Sequence, residues 1–259
     1  MKKLGKIIAV HSYKGGTGKT LLSVNLVAVL AKKGKKVCLF DLDFRSPSLA
    51  TLLKVENAEH WLNDYLNGTC EIDKILVDLS DRFHINGKFY VGLANPATEA
   101  IREMSAKDRK WEMRALGRLL ALRTSLINEK GFDYLIFDTS PGLQYSSINA
   151  IVSSDLVVVA TTFDRSDIDG TKRMLRELYD LFEKKTGIVL NKVLEASKSS
   201  KEEMRTKVKD VYQVPLLGIV PCFCDILKAG GGIIFTSEKP EHPFTKILDE
   251  VTDEIVKMS

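Results

Sequence analysis

The chain is predicted to be an α/β protein with a doubly wound, mostly parallel sheet and helices on both faces. Two observations carry this. Six short apolar runs, at 7–10, 37–40, 134–137, 156–160, 188–190 and 216–220, recur without polar–apolar alternation. Continuous apolarity over so few residues suits strands covered on both sides, as in parallel sheets. Segments with helical spacing separate the runs, and strand–helix alternation of this kind favours right-handed crossovers on one sheet.

Taken in order, the first run ends at His11-Ser12-Tyr13 and leads into Lys14-Gly15-Gly16-Thr17-Gly18-Lys19-Thr20. A helix is expected over 20–33, with Leu22, Leu26, Val29 and Leu30 at helical spacing and Gly34 as its C-terminal stop. Strand, glycine loop, helix is the order that gives such a loop chemical meaning. Glycines let the chain curl so that successive N–H groups face one point and hold phosphate oxygens, and the helix adds its positive N-terminal end. Lys19 supplies a point charge to the terminal phosphates, and the Thr20 hydroxyl can ligate Mg²⁺. A glycine-rich turn with two solvated lysines is the plainer alternative, and the Gly-Lys-Thr ending in this setting counts against it.

The second run ends in Asp41-Leu42-Asp43 and the third in Asp138-Thr139-Ser140-Pro141-Gly142. Parallel strands gather their C-terminal ends on one edge, so both acidic clusters are expected beside the loop. Asp138 is the expected magnesium carboxylate; a helix-capping role is compatible with that. A second long helix is expected over 166–184, with Ile168, Met174, Leu175, Leu178 and Phe182 on one face. Residues 44–107 are the least regular portion and are expected to form an insertion beside the main sheet. With no linker, repeat or low-complexity tract, the 259 residues read as one domain.

Composition narrows the classes. Hydrophobic residues at 44% and charged residues at 28% describe an ordinary globular protein, and a formal charge of +4 permits nucleic acid or membrane contact without requiring it. Four cysteines in this length are not a disulfide framework. No stretch approaches the ~20 apolar residues of a membrane span, and the apolar start runs straight into the glycine loop, unlike a cleavable signal. A soluble, cytoplasmic protein is expected.

The loop departs from the common Gly-x-x-x-x-Gly-Lys-[Ser/Thr] form. Tyr13 stands where glycine is usual, and Lys14 opens the loop. In this it resembles the deviant Walker A loop of the MinD/ParA/Mrp ATPases, P-loop NTPases related to nitrogenase iron protein and the arsenical-pump ATPase. The resemblance runs through ordered motifs along nearly the whole chain. It implies an ATP hydrolase using Mg²⁺ that forms a homodimer with ATP, in which Lys14 reaches the nucleotide of the partner subunit and makes slow hydrolysis depend on dimerisation. It implies that Asp43 orients the attacking water and shares the magnesium shell with Thr20 and Asp138, supported by Asp41. It also implies that the segment 139–143 senses the γ-phosphate. The nucleotide-binding positions then run from Lys14 to Leu21, with Asn191 at the adenine edge and Pro221 against its face. Leu21 replaces the usual Thr or Ser and so removes one phosphate contact, and Phe163 replaces a frequent Pro.

The cellular role is less fixed, because folds host many functions. The last helix has an apolar face of Phe244, Ile247, Leu248, Val251 and Ile255 and an acidic exterior, which suits core packing; no direct membrane anchor is expected. Lys107, Lys110, Arg114 and Arg118, and separately Lys198, Lys201, Arg205 and Lys209, could touch nonspecific DNA, but interspersed acids make solvated helix faces the better reading. Cys222 and Cys224 could form a metal or iron–sulfur site at a dimer seam, as in Mrp-like or nickel-insertion carriers. The favoured expectation is a positioning, partition or regulatory ATPase acting through an unidentified protein partner.

Overall fold

The computed structural model describes residues 4–259 apart from 56–57, 84, 180–181, 195–197 and 230–233. In chain order the elements are β1 (Lys6–His11), α1 (Lys19–Lys32), β2 (Lys36–Leu42), α2 (Leu49–Leu52), α3 (Leu62–Asn67), β3 (Leu76–Asp78), β4 (Lys88–Gly92), α4 (Thr98–Ser105) and α5 (Arg109–Leu122). They continue with β5 (Tyr134–Thr139), α6 (Tyr145–Ser153), β6 (Leu156–Thr161), α7 (Arg165–Met174), β7 (Lys185–Val193), α8 (Lys198–Tyr212), β8 (Leu216–Pro221), α9 (Cys224–Lys228), α10 (Phe235–Glu238) and α11 (Pro243–Met258).

The strands make one sheet in the order β3-β4-β2-β5-β1-β6-β7-β8, parallel except for β3, which runs antiparallel to β4. Side chains alternate across the pleat, so each strand feeds two cores. Ile7, Ala9, Leu135, Phe137, Val157 and Val159 pack on one face under α5, α6, α7 and α8; Ile8, Val10, Ile136, Val158 and Ala160 pack on the other under α1, α10 and α11. Both faces are therefore dry, which is why the strands read as unbroken apolar runs.

Two expectations need correction. Residues 44–107 do not simply lie beside the sheet: β4 pairs with β2 from Lys36↔Lys88 to Phe40↔Gly92, and β3 forms the outer edge. Their strands are short and one edge is open, so neither shows the long apolar run of the central strands. The helix expected over 166–184 is α-helical only to Met174, continues as a π-turn over Leu175–Tyr179, and the chain re-enters the sheet at Lys185. The apolar spacing continues through the π-turn, so the pattern hid the change in winding. None of the described helices is long and apolar enough to cross a membrane.

Candidate functional site

The loop between β1 and α1 is shaped by two glycines with left-handed backbone, Gly16 at φ 78° and Gly18 at φ 94°. Such angles are costly for any residue with a Cβ. Gly18 is also the residue before α1, so the first free N–H groups of the helix open onto the loop. Asn191, at the end of β7, braces the loop by donating from Nδ2 to the Thr17 carbonyl at 2.7 Å, and its Oδ1 accepts from Lys192 N at 2.9 Å. Lys192 Nζ reaches the Gly16 carbonyl at 2.7 Å. With carbonyls of the loop held from outside, its amides are left to face inward. The Thr17 hydroxyl is buried and has no partner among the described residues.

Lys19 is 7% exposed and makes no ion pair among the described residues. Burial lowers its pKa, against the pull of Asp138, Asp43 and Asp167. It is a dehydrated cation with acids nearby but no counter-ion in contact, a state that favours capture of an anion.

The acids come from the neighbouring strand ends. Asp138 and Asp41 are register partners across β5 and β2. Both are buried, and burial raises both pKa values: Asp138 to about 6, and Asp41 well above the carboxylate range with Asp138 adding to the shift. Asp138 accepts from Ser23 Oγ at 2.9 Å and lies beside the Thr20 hydroxyl, while Asp41 accepts from the N–H groups of Asp43 and Leu49. Asp43 is less buried and accepts from Ser140 Oγ at 2.8 Å, joining the end of β2 to the segment after β5. Two carboxyls in adjacent strands, whose charged forms burial and each other disfavour, gain from a cation placed between them and the hydroxyls.

The segment after β5 is tied to the loop from beneath. Gly142 N donates to Ser12 O at 2.9 Å. Thr139 Oγ1 donates to Val10 O at 3.0 Å and therefore accepts from His11 Nδ1–H at 2.7 Å. That fixes the His11 tautomer and leaves Nε2 a buried acceptor without a partner among the described residues. Burial first, and Lys19 second, depress the His11 pKa to about 3, so the ring stays neutral.

Lys14 points away from its own loop. Its Nζ pairs with Asp164 Oδ1 at 2.9 Å and contacts Ser166 Oγ, where Asp164 caps α7 by accepting from Ser166 N and Asp167 N. The hydrogen bond with Asp164 raises the lysine pKa; bonds from Ser166 and Lys14 hold the carboxyl well below its usual range. Tyr13 lays its ring on Gly170 of α7, where a Cβ would overlap it. A bulky residue where the common loop has glycine is thus matched by a missing side chain opposite.

The structure brings Lys14, Gly15, Gly16, Thr17, Gly18, Lys19, Thr20, Asp43, Asp138 and Asn191 to one end of the sheet. Asn191, expected at the adenine edge, already has both ends of its amide engaged, on the loop and on Lys192. Leu21 packs partly against the α1 side of the core, and Pro221 ends β8 opposite Val193. Ser23, His11, Lys192 and Asp164 were missed. Only Ser23 left a signal, one turn after Thr20 on α1. Cys222 is half-buried and Cys224 exposed, and no group of three or more His, Cys, Asp or Glu among the described residues of one chain is arranged to hold a metal. Lys107 pairs with Glu103 and Arg118 covers the Tyr65 ring, which removes two members of one candidate DNA stripe; the Lys198 and Lys201 side chains lie outside the described residues.

Comparison with known proteins agrees with the family resemblance. The family model described as AAA domain matches residues 5–196. The septum site-determining protein MinD of Synechocystis sp. is 30% identical over 220 residues, 84% of this chain and 76% of the relative. MinD of Thermotoga maritima is 29% identical over 232 residues, 87% of this chain and 79% of the relative. MinD from Pyrococcus horikoshii, solved with Mg-ADP, superposes with a TM-score of 0.79 at 22% identity, covering 98% of this chain and 97% of that one. The chain belongs to the AAA-domain family of P-loop ATPases, in its MinD/ParA-like branch.

Proposed function

We propose that the chain is a Mg-ATP-dependent dimerisation switch that hydrolyses ATP to ADP and phosphate and acts through a protein partner in the cytoplasm. The observation that carries this is the pairing of opposite deficits at one sheet edge. Lys19 is a buried cation short of an anion, and Asp138 with Asp41 are buried carboxylates short of a cation. A magnesium-bound triphosphate supplies both. The donor set fits that ion: one or two carboxylates and a hydroxyl from the protein, with phosphate and water completing the shell, are what magnesium prefers over an all-protein cage. The orphaned Thr17 hydroxyl adds a buried donor inside the loop.

In this reading the loop amides from Gly15 to Thr20 and Lys19 hold the β- and γ-phosphates, Thr20 and Asp138 hold magnesium, and Asp43 orients the attacking water. Ser140, bonded to Asp43, lets the 139–143 segment feel the γ-phosphate. Lys14, held by Asp164 within one chain, is released to the nucleotide of a second copy. A charge supplied in trans of this kind accelerates phosphoryl transfer by roughly a thousandfold or more. The base lies toward Asn191 and Pro221. The whole chain serves as one domain.

Light scattering of the purified chain with Mg-ATP tests the reading. Wild type is expected to shift to a dimer and Lys19→Ala to stay monomeric. A normal ATP dimer in Lys19→Ala would overturn the assignment.

A further inference from the structure

Beyond the nucleotide site, β8 closes one side of the sheet, and no described strand pairs with its outer margin. That margin forms the floor of a long open trough. One part, about 720 Å³, is lined by Arg205, Lys209, Asp210, Gln213 and residues 214–216. The other, about 470 Å³, continues it along residues 216–219 and is walled by α11. Arg205 and Leu216 belong to both, so the trough is continuous along the strand.

Its two walls lie on opposite faces of the sheet. Val208 and Tyr212 anchor α8 in the core beneath α7, and Leu248, Val251 and Ile255 anchor α11 in the core beneath α1. The walls carry opposite charge. Arg205 and Lys209 stand on the α8 side, with Asp210 the one acid lining it among the described residues and Glu202 4.0 Å from Arg205 on its outer, exposed side. On the α11 side Glu250, Asp253 and Glu254 face Lys257, which is already matched by Glu254 at 2.7 Å. Asp253 shares Lys33 with Asp249, so that wall keeps a negative surplus.

An open strand edge offers unpaired backbone groups to another extended chain. Pro215 and Pro221 bracket this edge and remove their own donors, which confines pairing to residues 216–220, a stretch that carries one extra residue against β7, Ile188 facing Leu216 and Val189 facing Gly218. Gly218 lets α11 approach the strand closely, since a Cβ there would meet Val251.

We infer that β8 is a docking edge for an extended peptide segment of a partner protein whose side chains alternate acidic and basic. The alternation follows from the pleat. Successive side chains of an added strand point to opposite faces, so one set meets Arg205 and Lys209 while the other meets Glu250 and Asp253.

The probe is a fluorescein-labelled octapeptide of alternating glutamate and lysine, followed by anisotropy with the full chain. Two controls carry the same composition: a block peptide with all glutamates before all lysines, and an alternating peptide N-methylated at every second residue. Saturable binding of the alternating peptide is expected, with a Kd of the order of 100 μM, and at least about tenfold weaker binding of both controls. Arg205→Glu with Lys209→Glu, and separately Glu250→Lys, are each expected to weaken it, a surface pair contributing a factor of about two to five. These residues are on the rim, and unchanged ATP binding in the variants verifies their fold independently of the switch. Equal binding of the block peptide would reduce the effect to general electrostatics and overturn the proposal. So would equal binding of the N-methylated peptide, or competition of the probe with self-association of the chain through β8.

Discussion

Gly16→Ala and Gly18→Ala make the same chemical change at two left-handed positions of one loop, yet the structure predicts different costs. Each forces a Cβ into positive φ, worth about 1–2 kcal/mol. At Gly16 nothing lies within 4 Å of the added atom, so strain is the whole cost. At Gly18 the added Cβ meets the Asn191 amide nitrogen, which must leave the Thr17 carbonyl. Breaking that buried hydrogen bond adds about 1–3 kcal/mol, because both partners lose water as well as each other. Gly18→Ala should therefore melt below Gly16→Ala by about 2–12 °C, at roughly 2–4 °C per kcal/mol for a chain of this size. Differential scanning calorimetry without nucleotide reads the difference. A double-mutant cycle with Asn191→Ala checks its origin: the Asn191 loss is already contained in Gly18→Ala, so the two costs should overlap instead of adding. Equal melting of the two alanine variants, or full additivity with Asn191→Ala, would refute the bracing role of Asn191.

Asp43→Ala should bind Mg-ATP with near wild-type affinity but turn over at least about a hundredfold more slowly, so that dimer accumulates; phosphate release and light scattering measure both. Lys14→Ala should likewise keep ATP binding while losing the concentration dependence of turnover, read as specific activity against protein concentration. Asp138 has a folded-state pKa raised to about 6, so in nucleotide-free protein its contribution to stability is full below pH ~4 and is lost as pH rises through ~6. Asp138→Asn should therefore exceed wild type in stability at pH 7, by about 3 kcal/mol at most, and converge with it near pH 4. Urea titrations at several pH values without magnesium decide this, and an unchanged difference across the range would remove burial of that charge as its cause.

How much of this could be read beforehand follows from what each residue depends on. Central strands such as 134–137 are buried on both faces and announce themselves as unbroken apolar runs. The short strands 76–78, at the edge, and 88–92, next to it, have mixed composition, and their pairing is settled by distant partners. The loop Lys14 to Thr20 was legible because its chemistry depends on residues adjacent in the chain. Asp138 was legible because a parallel sheet collects strand ends. The bond from His11 to Thr139 spans 128 positions and the one from Lys14 to Asp164 spans 150, and no local pattern marks such pairs. Asn191 was singled out by the family resemblance of its place at a strand end, and its role as a brace needed the direction of its amide.

The holding of Lys14 at the start of α7 has a kinetic side. Both partners are largely solvated, with side chains 42% and 57% exposed, so the attraction is weak and further softened by salt. The lysine is lodged there but not trapped, and exposed side chains exchange rotamers within nanoseconds. Its departure leaves Asp164 still accepting from the first amides of α7, so the helix start does not unravel when the cation swings out. In the proposed switch, meeting a second copy, not freeing the lysine, would then set the pace of assembly.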